Sequence, residues 1–176
     1  MVGASVCAIL GGVMLSTASA RPVPEARRSV APAISLDKMA REVVYLVNLE
    51  RVQRRLPPLR VNTRLVTDAQ LQASQIVETG LLEHVILGGA YPTPRQRAEA
   101  AGYAWNALGE NLASGFTDAS SAVAAWMNSP GHRANILADG FSETGVVLTP
   151  DARGRLIFVQ TFGAPGEERD SAITAR

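Results

Sequence analysis

The sequence predicts an α+β domain, and three observations carry that expectation. Apolar residues recur at helical spacing through the first half of the chain, in stretches closed by proline or glycine. Two apolar runs near the end flank Pro150-Asp151-Ala152-Arg153-Gly154, a hairpin signal. Helices first and an antiparallel hairpin last make α+β the class to expect. The only cysteine, Cys7, lies ahead of all these patterns, so neither disulfide stapling nor thiolate chemistry is expected of the folded part. An ordinary buried core has to hold it together, and a domain near 150 residues can hide roughly 68–70% of its unfolded surface.

The elements follow in chain order. Residues 1–20 read as a cleaved secretory leader: a short apolar run from Val6 to Leu15, then Ala18-Ser19-Ala20 as a small-x-small processing site. No Lys or Arg precedes the run, and an uncleaved anchor is the lesser alternative. The run is shorter than the about 20 apolar residues a membrane span needs, so the mature protein is not expected to span a membrane. Residues 21–35, rich in Pro, Ala and Arg, read as a flexible lead-in. A first helix is predicted over Leu36–Arg54, with Leu36, Met39, Val43 and Val47 on one face and Pro57-Pro58 beyond its end. A second covers Thr63–Thr79, with Val66, Ala69, Ala73 and Ile76 as its apolar stripe and Gly80 as its stop. A third is short: Thr93 caps it, Pro94 takes its first position, Gln96 completes a capping box and Gly102 ends it. Leu108–Ser114 is a candidate strand, Asp118 caps a fourth helix ending before Pro130, and Pro130–Leu137 holds a further helical turn or two. Thr144–Thr149 and Leu156–Phe162 are the hairpin strands. The folded domain is placed at residues 36–163, and 164–176 is a disordered charged tail.

Net charge is +1, with Lys38 the only lysine and no clustered basic run. Nucleic acid is therefore not expected as a partner.

Chemistry-bearing residues are few. The chain has two histidines, His84 and His132, with Glu110 between them in Gly109-Glu110-Asn111. The spacings of 26 and then 22 residues exceed any local helical ligand motif, so a joint site requires the fold to assemble it, and spacing alone leaves that open.

Several segments, in order, resemble the CAP superfamily (cysteine-rich secretory, antigen 5 and pathogenesis-related-1 proteins, the SCP domain) in its short, secreted bacterial form. They are Asn48-x-x-Arg51 with Leu56-Pro57-Pro58-Leu59, the isolated His84, Arg97 with Ala101-Gly102-Tyr103, Gly109-Glu110-Asn111, and above all Ala125-Trp126-Met127-Asn128-Ser129-Pro130-Gly131-His132-Arg133-Ala134-Asn135-Ile136-Leu137. Phe141, Gly145 and Phe158–Gly163 complete the likeness. The resemblance implies an α-β-α sandwich with a three-stranded antiparallel sheet between helical layers. It also implies a cleft of two His and two Glu that holds a divalent metal, often zinc, in some members. His84, Glu110 and His132 fall on three of those positions; Ser129 stands where the second glutamate would be. Two imidazoles and one carboxylate are a ligand set known for catalytic zinc, and Asn111, Ser129, Arg133 and Glu143 are the candidate supporting residues, Glu143 reaching in from the next strand.

Each has a structural alternative. Glu110 would anchor its own turn, Asn111 and Asn135 would cap turns, Arg133 would pair with a carboxylate, and Ser129 would cap a helix; Trp126 is core. The segment Leu81-Leu82-Glu83-His84-Val85-Ile86-Leu87 is unusually apolar for a loop. Packing into the core is its first expectation; an apolar lip beside the cleft, suited to a lipid or acyl chain, is the alternative. The resulting expectation is a secreted or cell-envelope binding module, monomeric, with a metal-binding or lipid-binding cleft and more likeness to a binder than to an enzyme. A metal-dependent hydrolase acting on peptide or cell-wall material is the rival.

Overall fold

The computed structural model describes residues 35–167. The leader, nearly all of the lead-in and most of the tail lie outside those residues. Five helices and four strands follow one another as α1 (Leu36–Gln53), β1 (Arg60–Val61), α2 (Thr63–Thr79), α3 (Pro94–Ala100), β2 (Trp105–Ser114), α4 (Ala119–Asn128), α5 (Pro130–Leu137), β3 (Glu143–Pro150) and β4 (Leu156–Pro165). None of the described helices is long and apolar enough to cross a membrane.

The helix boundaries are set by local chemistry. Ser35 Oγ accepts from Lys38 N at the start of α1, Asn62 and Asp118 cap α2 and α4, and Thr93 with Gln96 forms the full capping box of α3. Gly80, at φ 73°, supplies the left-handed residue that ends α2.

The sheet has the order β1-β3-β4-β2. β3 and β4 form the expected antiparallel hairpin, and β4 pairs with β2 antiparallel from Ser114↔Ile157 to Trp105↔Pro165. The fourth strand corrects the expected count of three: Arg60 and Val61 lie parallel to Glu143 and Thr144. Two residues offer no alternation to read, so only the tertiary pairing reveals them. β4 likewise runs past Phe162 to Pro165, because Trp105 and Ala107 on β2 give its last residues partners.

Alternate side chains leave the sheet on opposite faces. On one face Val146, Leu148, Phe158 and Phe162 pack with Met39, Val43 and Val47 of α1, Val123 and Trp126 of α4 and Ile136 of α5. On the other, Leu112, Val147, Ile157 and Val159 pack with Ala69, Ala73 and Ile76 of α2 and with Ile86. The α-β-α sandwich expected from the resemblance is thus the architecture observed. Trp126 is a core residue, 1% exposed, its Nε1–H donating to Leu112 O at 3.1 Å. At Gly145 the layers touch backbone to backbone: a Cβ there would lie 2.2 Å from the carbonyl carbon of Leu65.

Candidate functional site

β2 ends the order β1-β3-β4-β2 and is paired on one side only among the described residues. Its side chains alternate between the helical layers, so Glu110 faces α2 and α3 while Asn111 faces α5. Glu110 is 7% exposed and both its oxygens are engaged. Oε1 lies 2.7 Å from His84 Nδ1, and Oε2 accepts from Arg97 Nη2 at 2.7 Å. A carboxylate held by Arg97 can only accept, which places a proton on His84 Nδ1 and leaves Nε2 as the open ring nitrogen. The hydrogen bond to Glu110 raises the His84 pKa above its ordinary value, partly offset by burial.

Arg97 is fully buried on the short helix α3. It also donates to the His84 carbonyl from Nη1 and Nη2, each at 3.3 Å. Its Nε stands 3.5 Å from Asp68 Oδ1, an ion pair without a hydrogen bond, since both atoms lack a hydrogen-bond partner. Burial pushes the Asp68 carboxyl up to about 7, with Arg97 opposing and Glu110 adding to the rise. Asp68 is the residue that sequence reasoning missed, and Arg97, noted there only as part of the resemblance, was not placed at the site. The signal was available: Asp68, Gln72 and Gln75 recur at 3–4 residue spacing on the stripe that buries Leu65, Ala69 and Ala73.

That polar stripe fixes the loop carrying His84. Gln72 Nε2 donates to Glu83 O at 2.6 Å. Gln75 grips Tyr91 twice, Nε2 to its carbonyl at 3.2 Å and Oε1 from its N–H at 3.1 Å. The loop is therefore pinned through its backbone, and this corrects the expectation that its aliphatic side chains pack inward. Only Ile86 is buried; Leu81 (46% exposed), Leu82 (43%), Val85 (42%) and Leu87 (85%) stand in solvent.

From the other layer, Asn111 Nδ2 donates to His132 O at 3.1 Å. Asn135 Nδ2 donates to Glu110 O at 3.0 Å and to Asn111 Oδ1 at 2.9 Å. These asparagines staple α5 to β2 and do not cap turns. His132 is close enough to His84 for that ring's charge to add to burial in lowering its pKa. A cavity of about 270 Å³ opens between the layers, lined by His84, Pro94, Leu108, Gly109, Glu110 and Asn135.

Other candidates are placed elsewhere. Glu143 is committed to Asn62 Nδ2 and Tyr103 Oη, each donating to Oε2 at 2.9 Å, and to Arg60 at 3.3 Å. It does not line the His84 cavity, because its position in β3 opposite Gly163 sets it beside β1. Ser129 joins α4 to α5, and its side chain makes no capping hydrogen bond. Arg133 is exposed on α5, with no carboxylate among its described hydrogen-bond partners. Among the described residues no three His, Cys, Asp or Glu side chains are set to hold a metal ion. Glu110 is turned to His84 Nδ1 and Arg97 Nη2, so in this arrangement it stands behind the His84 ring as an orienting partner and not beside Nε2 as a third ligand.

Comparison with known proteins places this geometry in context. Residues 44–162 match the sequence pattern of the Cysteine-rich secretory protein family, CAP. The uncharacterized protein YkwD of Bacillus subtilis (strain 168) is 31% identical over 134 residues, which cover 74% of this chain and 51% of that protein. The chain thus spans about half the length of that relative. Among solved structures, an outer surface protein from Borrelia burgdorferi is similar with a TM-score of 0.68 and 26% identity, over 76% of this chain and 97% of that one. An extracellular protein containing a SCP domain from Bacillus anthracis str. Ames shares the fold with a TM-score of 0.66 and 23% identity, over 72% and 40%.

Proposed function

Because the chain belongs to the Cysteine-rich secretory protein (CAP) family, we propose that it is a secreted or cell-envelope binding module whose ligand is an amphiphile. The observation that carries this reading is the lip of loop 81–87. Four aliphatic side chains stand in solvent on the loop that carries His84, and His84 is the open polar group of the cavity. Exposed aliphatics on a loosely held loop would mean little. Here Gln72, Gln75 and Arg97 hold the backbone that presents them. The lip suits a chain of methylenes, and the cavity suits a small polar head.

The test is binding of a fluorescent long-chain fatty acid, together with lipid extraction from protein purified from its own host. Fully burying an aliphatic side chain is worth about 1.5–3 kcal/mol; Leu82 is already half covered, while Leu87 is 85% exposed. The double change Leu82→Gln, Leu87→Gln is therefore expected to weaken binding about tenfold or more while leaving the thermal midpoint nearly unchanged. Equal affinity in the double variant, with no lipid extracted, would sink the proposal.

Zinc is the rival occupant of the cleft. The nearness of His132 to His84 supports it, and the engagement of Glu110 by Arg97 weighs against it. Metal analysis of the purified protein is expected to return well below one zinc per chain; a full equivalent, lost in His132→Ala, would overturn that expectation. Turnover has less support than binding for a related reason. His84 Nε2 is open to take a proton, yet Ser129 stands where the second carboxylate would be, so no spare glutamate is left to work beside it.

A further inference from the structure

We propose that the protein carries a second binding site, for a neutral saccharide, in the groove where α2, α3 and the start of β2 meet the end of β4. The groove encloses about 960 Å³ and shares no lining residue with the His84 cavity. That volume lies at the upper end of ordinary ligand sites, about 300–1,000 Å³.

Three features select the ligand. First, among the described residues its charged lining balances, with Arg64 and Arg95 against Glu99 and Glu167. A groove without net charge gives no advantage to phosphate, nucleic acid or a polycarboxylate. Second, donors and acceptors are presented side by side. Arg95 Nε sits 2.9 Å from Glu99 Oε1, so a planar donor and a planar acceptor occupy one face of α3. Adjacent sugar hydroxyls, each both donor and acceptor, match such a pair. Third, Trp105 lines the groove while part of its surface packs on the Leu65, Ala98 and Tyr103 cluster. An indole held in this way offers a rigid apolar platform with a polar edge, the surface that the C–H face of a pyranose ring covers.

The groove is built into the fold. Gly166 N donates to Ala104 O at 3.0 Å, and Asn106 Nδ2 donates to Pro165 O at 3.1 Å. A Cβ on Gly166 would come within 2.9 Å of the Trp105 backbone, so the chain after β4 lies directly on the strand that presents the indole.

Cellotetraose, maltotetraose and the N-acetylglucosamine tetramer, titrated into the full chain, test the idea. The chain has two tryptophans, and Trp126 is 1% exposed, so a shift in emission on binding reports Trp105. At least one probe is expected to shift the emission saturably. By calorimetry, Trp105→Leu and Arg95→Ala are each expected to weaken that binding tenfold or more. Arg95 belongs to an exposed ion pair, so Arg95→Ala keeps the test valid should Trp105→Leu disturb folding. Absence of binding by all three probes at millimolar concentration overturns the proposal, as does equal affinity in both variants or a response to sulfate alone. Competition between the saccharide and the fatty acid would assign both to the His84 cleft and overturn it too; independent binding supports two sites.

Discussion

Replacing Arg97 with Met is expected to lower the unfolding free energy by about 3–5 kcal/mol, the range for breaking a buried ion pair by removing one partner. Arg97 is fully buried and, among the described residues, is the only guanidinium paired with either Asp68 or Glu110. Without it two carboxylates face one another in a dry setting, and the His84 carbonyl loses its donor. Urea denaturation measures the loss, and a change below about 1 kcal/mol would show that the cleft does not depend on this guanidinium. Asp68→Asn should act in the other direction. The Asp68 carboxyl, ordinarily near 3.8, is raised to about 7 in the folded chain. Between those values the folded state holds a proton that the unfolded state has released, so stability falls as pH rises through the window. The raised His84 pKa adds loss in the same direction at and above its upper edge. The lowered His132 pKa opposes it, removing stability as pH falls through the ordinary histidine value. Asp68→Asn, neutral throughout, is expected to flatten the decline between about pH 4 and pH 7. An unchanged pH profile would mean that Asp68 ionises without penalty.

What could be read from the sequence depended on whether the deciding interaction was local. Thr93, Pro94 and Gln96 announce the start of α3 because a capping box closes within four residues. Gly80 announces the end of α2 for the same kind of reason, whereas its cap, Asn62, went unread. β1 escaped notice because its only signature is pairing with β3, far away along the chain. The histidines and Glu110 were recognisable as candidates, yet their joint placement comes from β2 being an edge strand between two helical layers. Loop 81–87 was the instructive error. Hydrophobicity suggested burial, but the side chains that control the loop are Gln72 and Gln75, which take its backbone inward and leave its aliphatics outside. Arg97 was picked out by the family resemblance without a role, and Asp68 was legible only as a charge on an otherwise buried stripe, which is itself a sign of a functional or scaffolding network.

Asn48 and Arg51 belong to scaffolding of this kind, and its largest test is Arg51→Met, expected to cost about 4–5 kcal/mol. Arg51 is fully buried yet has no carboxylate among its described hydrogen-bond partners. Its guanidinium donates to four carbonyls: Pro57 O at 2.9 Å, Ile136 O at 2.7 Å, Ala138 O at 2.8 Å and Phe141 O at 3.0 Å. Three of them lie at and beyond the C-terminus of α5, where carbonyls lack helical partners and a cation is favoured. A hydrogen bond to a charged group is worth about 1.5–3 kcal/mol, and each buried acceptor left unpaired adds a penalty. Local relaxation and water entry recover part of that sum, which is why the expectation stays near 4–5 kcal/mol. Asn48 completes the arrangement from one turn earlier, its side chain bonding both the N–H and the carbonyl of Leu59. Because α5 also carries His132 and Asn135, the effect should reach the cleft. Hydrogen exchange at residues 136–142 is expected to accelerate in Arg51→Met, and fatty-acid affinity should fall even though position 51 does not line the cavity. Lost stability with unchanged affinity would separate the scaffold from the site and show that α5 keeps its place through Asn111 and Asn135 alone.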